Sequence, residues 1–148
     1  MITPEEVCVD AGVAIKVVTE ESDFELADAL FEQWANHDVQ IIAPLFFEVE
    51  VDSILSQKIV LRRELTAEQG EIVFQRVLRL DVKRIIVPGQ RERAWEIARD
   101  FNFPTVYDAT YLALAELRGC EFWTADKRLY DKVHRDLSYV RWLGTVGG

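Results

Sequence analysis

Four acidic residues stand where folding could gather them for hydrolytic chemistry: Asp10, Glu48, Asp108 and Asp126. Asp10 directly follows the apolar run Val7-Cys8-Val9. An ionised carboxylate behind an apolar strand tip is costly unless it caps a turn or holds a cation, so Asp10 reads either as an Asx turn or as a site residue. Asp126 follows Phe122-Trp123-Thr124 in the same way and fits equally the N-cap of a helix starting at Lys127. Thr124 offers a hydroxyl at that strand tip, able to orient a carboxylate or a water. Asp108 shares a buried-face spacing with Tyr111, Leu112 and Ala115, while Thr105-Val106-Tyr107-Asp108 also has the form of a capping box. Taking about 100° per residue along a helix, Glu48 lies roughly 20° from Leu55 and roughly 60° from Val51. That is the margin of the apolar face, where an ordinary ion pair and a site residue are equally at home. Glu50 falls toward the far side and reads as solvated. Asp52 lies about 40° from Glu48 and is an accessory candidate.

Several carboxylates brought together repel and rise in pKa unless a hard cation sits among them. Oxygen-only ligands suit Mg²⁺ or Mn²⁺, and two such ions about 3.5–4 Å apart can activate a water and stabilise the leaving oxygen of a phosphodiester. Competing chemistries lack their residues. The chain has 2 His, the isolated His37 and His134, so no Ser–His–acid or Cys–His set forms, and no Gly-rich phosphate loop is present. A phosphoacceptor receiver domain needs adjacent acids after its first strand and a Lys near its last, where this chain has Asp10 alone and Arg141. A haloacid-dehalogenase-type phosphatase needs a second Asp two residues after the first, where Gly12 stands.

The elements that must position these acids alternate. Strands are expected at Val7-Cys8-Val9, Val39 to Ala43, Glu121 to Thr124 and Tyr139 to Leu143, with Ile85-Ile86-Val87 a short strand or turn. Helices are expected from the capping box Ser22–Glu25 to about Asn36, from Pro44 to about Gln57, and from Thr66 with Gln69 to about Leu80. Others cover Gln90 to Phe101, Thr105 to Arg118 (stopped by Gly119), and Asp126 to about His134. Buried strands separated by helices imply a parallel sheet covered on both faces. Right-handed crossovers put the carboxyl ends of its strands along one edge, which turns scattered acids into a site.

Length and composition fit one domain over residues 1–148: 49% apolar, 11% aromatic, 7 Gly and 4 Pro supply a core without staples. Cys8 and Cys120 sit in apolar runs and read as small buried hydrophobes; the alternative is a disulfide between them, but two Cys in a core-rich chain suit a reducing compartment better. Met1 to Glu6 lacks the basic start and apolar stretch of a signal peptide. The longest apolar run, Ile41 to Phe47, falls short of the roughly 18–20 residues of a membrane span. A soluble, cytoplasmic protein is expected. Net charge is −9, unevenly spread: residues 1–57 hold thirteen acids and one base, residues 58–99 ten bases and six acids. The basic middle reads as solvated helix faces or as a strip for phosphates or an acidic partner segment. Phe24, Leu30, Phe31 and Trp34 exceed what one apolar stripe needs, so a dimer mate or partner helix is expected to cover part of the helices 22–36 and 43–57.

At these residues the chain resembles the PIN-domain family and, within it, the VapC-like toxins of bacterial toxin–antitoxin pairs. The matching pieces are Val9-Asp10-Ala11-Gly12-Val13-Ala14, Ala43 to Val49, Tyr107-Asp108-Ala109-Thr110-Tyr111-Leu112-Ala113-Leu114-Ala115, and Trp123-Thr124-Ala125-Asp126-Lys127-Arg128-Leu129. The resemblance implies a three-layer α/β/α PIN-like fold with a central parallel sheet and Mg²⁺- or Mn²⁺-dependent cleavage of RNA. It also implies a homodimer and inhibition by a small antitoxin protein. It assigns metal binding to Asp10, Glu48, Asp108 and Asp126, with Thr124 in support. Many relatives carry Asn three residues after the glutamate, where this chain has Val51. The rival reading is a catalytically silent PIN fold kept as an RNA- or protein-binding module.

Overall fold

The computed structural model describes residues 5–19 and 24–145. Five short strands, β1 (Glu6–Val9), β2 (Gln40–Ala43), β3 (Val82–Arg84), β4 (Glu121–Thr124) and β5 (Val140–Trp142), form one sheet in the order β3-β2-β1-β4-β5. Every pairing is parallel. The central strand reads as an unbroken apolar run, Val7-Cys8-Val9, because helices bury it on both faces.

The helices are α1 (Ala11–Thr19), α2 (Phe24–Asn36), α3 (Phe47–Val60), α4 (Ala67–Leu78), α5 (Gln90–Asp100), α6 (Tyr107–Arg118) and α7 (Lys127–Val133). Helix α1 packs against α2, α3 and α4, while α5 packs on α6. The chain steps from β1 out to β2 and β3, then returns across the sheet to β4 and β5. With right-handed crossovers this reversal puts α1–α4 on one face and α5–α7 on the other. The direction of winding switches between β1 and β4, and the crevice outside the carboxyl ends of strands at such a switch is where α/β folds bind ligands. The expected α/β/α architecture with its central parallel sheet is the observed one.

Local differences have physical causes. The third strand lies at Val82–Arg84, ahead of the apolar Ile85-Ile86-Val87. It is an edge strand with Lys83 and Arg84 exposed, so only Val82 needs to be buried. Helix α1 had no counterpart in the sequence reading. Thr66 and Gln69 form the full capping box of α4, with both bonds at 2.9–3.0 Å. The box expected at Ser22 involves residues outside the described ones. Leu30 and Trp34 are buried in the main core and Phe31 packs against Trp34 with ring centroids 5.4 Å apart. Leu30 and Trp34 thus belong to the core, while Phe24 and Phe31 are half-buried. Both cysteines are buried and free. Among the described residues no helix is long and apolar enough to cross a membrane.

Candidate active site

Asp10 leaves the tip of β1 and is almost fully buried. Its backbone N–H continues the sheet to the Trp123 carbonyl at 3.2 Å, which sets it beside the tip of β4. Oδ1 accepts the N–H of Val13 at 2.9 Å, so Asp10 caps α1. Oδ2 accepts the hydroxyl of fully buried Thr124 at 2.5 Å. That hydroxyl oxygen also accepts the N–H of Asp126 at 2.9 Å. Thr124 thus ties the two strand-tip acids across the winding switch. Asp126 caps α7: its Oδ1 accepts the N–H groups of Arg128 at 2.9 Å and Leu129 at 3.3 Å. Capping and site geometry coexist at both strand tips.

Asp108 lies in the first turn of α6, half-buried. The capping box expected at Thr105 does not form. Val106 occupies the N-cap with no side-chain hydrogen bond, so a cap does not explain the acid at 108. Asp108 instead faces Asp126 and Glu50, and burial together with these two charges pushes its pKa up to about 6. Burial pushes Asp10 up to about 7 against the opposing bonds from Thr124 and Val13, with Asp108 and Glu50 adding to the rise.

The structure places the two candidate glutamates of helix α3 on different flanks. Glu48 is exposed and pairs with Arg84 of β3, Nε to Oε1 2.5 Å. It lines a shallow recess with Asp52, Leu78 and Val82, away from the other acids. Glu50 is half-buried and acts electrostatically on both Asp10 and Asp108. Burial raises its own pKa, opposed by a hydrogen bond from Tyr111. The buried stripe of α3 runs through Phe47, Val51, Leu55 and Lys58, and at about 100° per residue the two glutamates flank it on opposite sides. Glu48 lies nearer the stripe, roughly 20° from Leu55 against roughly 60° between Glu50 and Phe47, so the neighbours on each flank, not depth, decide. One flank faces edge strand β3 and the other faces the winding switch.

Asp10, Glu50, Asp108 and Asp126, with Thr124 between, form an all-oxygen set running from a buried floor to an exposed rim. Among the described residues no three His, Cys, Asp or Glu side chains close into a ready ion cage. The set nonetheless fits Mg²⁺ or Mn²⁺ by its chemistry. Mg²⁺ keeps several waters and binds through one or two carboxylates plus substrate phosphates rather than in an all-protein cage.

A parallel sheet of this order with acids at its switch defines a class. The PIN domain model matches residues 7–134, and the chain belongs to the PIN domain family. Within it the chain is similar to VapC ribonuclease Mb0985 of Mycobacterium bovis, 40% identical over 88 residues, 60% of this chain and 66% of that protein. Ribonuclease VapC12 of Mycobacterium tuberculosis is 34% identical over 87 residues, 59% of this chain and 64% of that protein. The matches thus span about two thirds of the length of these curated relatives. The crystal structure of PAE2754 from Pyrobaculum aerophilum matches with a TM-score of 0.65 at 20% identity, covering 97% of this chain and 94% of that one. The structure of Mycobacterium tuberculosis VapC20, a sarcin-ricin loop cleaving toxin, matches with a TM-score of 0.59 at 18% identity, covering 91% and 98%. At those identities the solved structures attest the fold.

Proposed function

We propose that this protein is a Mg²⁺- or Mn²⁺-dependent endoribonuclease, the toxin of a toxin–antitoxin pair, acting in the cytoplasm as a homodimer. One observation carries the reading: Asp10, Glu50 and Asp108 act on one another at the winding switch, with Asp126 and Thr124 beside them, in a chain whose relatives are named ribonucleases. Glu50 replaces Glu48 in the metal set. Counted from Glu50, the position three residues on is Ser53, a polar residue, so the departure noted at Val51 disappears.

Each side chain has a defined part. Thr124 and the Val13 N–H fix the rotamer of Asp10 at the floor. Asp126 spends Oδ1 on its helix and leaves Oδ2 to a cation. Glu50 and Asp108 reach in from two different helices and close the set from opposite faces of the sheet. A bound divalent ion supplies the activated water and the charge that stabilises the leaving oxygen. Burial lifts Asp10 to about 7, so near neutral pH this carboxyl still holds part of its proton, and a cation bound there would displace it.

The test is RNA cleavage by the purified protein with Mg²⁺ or Mn²⁺, and its arrest in chelator. Glu50→Gln and Asp108→Asn are expected to lose cleavage by at least about a hundredfold, and Glu48→Gln to retain it. Cleavage that persists in excess chelator would falsify the metal reading, and activity confined to small phosphate esters would replace the nuclease with a phosphatase.

A further inference from the structure

We infer that Tyr111 is a positioning residue that holds Glu50 in the carboxylate set, an inference that rests on the reading of that set as a metal site. Tyr111 is fully buried on α6, one helical turn beyond Asp108. Its hydroxyl donates to Glu50 Oε1 at 2.7 Å, a bond that joins helices α6 and α3 across 61 residues of sequence. The ring is fixed by packing on both sides. It meets Phe46 edge-on, with centroids 5.5 Å apart and planes at 89°, and Phe122 of β4 at 5.7 Å. A phenol so clamped cannot follow its partner, so the glutamate must come to it.

Glu50 needs such a hold. It stands in the first turn of α3, only half-buried, on a side chain with three rotatable bonds, and both Asp10 and Asp108 repel it. Left to itself, a half-buried glutamate beside two acids gains by turning to solvent or to a cationic partner, as exposed Glu48 does with Arg84 two residues earlier. The hydrogen bond from Tyr111 is charge-assisted, the stronger kind, and it occupies one carboxylate oxygen. The second oxygen stays available to a cation. Tyr111 would not touch metal or substrate. It acts by keeping the rotamer of a residue that does, and partners of this kind typically change metal affinity by about 10- to 100-fold.

The experiment is Mn²⁺ titration by calorimetry of wild type, Tyr111→Phe, Glu50→Gln and the double variant. Tyr111→Phe keeps the ring and its packing, and is expected to weaken Mn²⁺ about tenfold or more. Because Tyr111 acts through Glu50, the double variant is expected to bind no more weakly than Glu50→Gln alone. Tyr111→Phe with wild-type Mn²⁺ affinity, beside a weakened Glu50→Gln, overturns this inference and leaves the metal site standing. Wild-type affinity in Glu50→Gln overturns the site reading itself. Additive losses in the double variant also overturn the inference, since they show Tyr111 acting elsewhere. A readout free of substitutions is NMR of tyrosine labelled at Cζ in the wild-type protein. Addition of Mg²⁺ is expected to move the Tyr111 resonance, because its acceptor changes charge environment, and an unmoved signal at saturating Mg²⁺ overturns the inference whether or not the variant folds.

Discussion

Asp10 accepts two hydrogen bonds and faces two acids, and burial outweighs the bonds, so its carboxyl titrates near 7 rather than near 4. The sign of the consequence follows. Between these values the folded protein holds a proton that the unfolded chain has released, so stability falls as pH rises through that window. In chelator, stability is expected to fall between about pH 4 and pH 7, by on the order of 4 kcal/mol from this group, and the melting temperature falls with it. Asp10→Asn should flatten the drop, and an unchanged slope in that variant would assign the effect to other acids. Divalent ion reverses it: a ligand that binds only the native state at a hundred times its Kd adds about 2.7 kcal/mol. Millimolar Mn²⁺ should therefore raise the wild-type melting temperature at pH 8 and move that of Asp10→Asn much less. Three of the four acids named from sequence, Asp10, Asp108 and Asp126, lie together because strand tips and the start of α6 are legible in the apolar pattern. The sequence favours Glu48 over the half-buried Glu50 because Glu48 lies nearer the apolar stripe, and periodicity gives an angle from that stripe and not the identity of the neighbour on each flank.

The seven-residue helix α7 and the nine-residue helix α1 each begin at a site carboxylate, so each cap is also part of the site. Asp126→Ala should cost about 1 kcal/mol, because the N–H groups of Arg128 and Leu129 lose their acceptor. Asp126→Asn should recover most of that stability, since Asn caps well, and recover none of the cleavage. Equal activity in the two variants at wild-type level would remove Asp126 from the chemistry. Helix α1 escaped sequence reading for a physical reason. Ala-Gly-Val-Ala-Ile-Lys-Val-Val-Thr is rich in β-branched residues and buries Ala11, Val13, Ala14, Ile15 and Val18, nearly all round. Such a segment has weak helix propensity, and packing against α2, α3 and α4 decides its form. By contrast α4 announces itself through Thr66 and Gln69, and Thr66→Ala should lower stability by about 1 kcal/mol without touching cleavage.

Over the whole molecule, the exposed apolar surface lies elsewhere than the composition of α2 suggested. Leu45, Ile86, Trp95, Val106 and Tyr107 are each at least 44% exposed and line one groove of about 920 Å³. Arg91, Glu92 and Glu96 line the same groove, so the surface carries both signs of charge beside its apolar residues and can pair with its own copy across a two-fold axis. The proposed homodimer is expected to use it. Trp95→Glu should convert a dimer at tens of micromolar into a monomer by light scattering; a dimer that survives the substitution places the contact on another face, and a wild-type monomer removes the dimer. The basic middle of the chain is partly spent internally. Lys58 pairs with Glu64, Arg84 with Glu48 and Arg93 with Glu116, at 2.5–2.9 Å. Charge counts along the sequence could not show this, because these partners meet only after folding.

The caps at Asp10 and Asp126 have a bearing on how such a protein ages. Suppose a descendant of this chain stopped cutting RNA. Selection for folding would still favour Asp or Asn at positions 10 and 126, because two helices begin there. Position 108 carries no such obligation, since α6 starts without a side-chain cap. Loss of activity should therefore be written first at 108, and at 50 once its bond to Tyr111 no longer serves a cation. Among relatives, an acid at 10 or 126 says that the fold persists, and an acid at 108 says that the chemistry does.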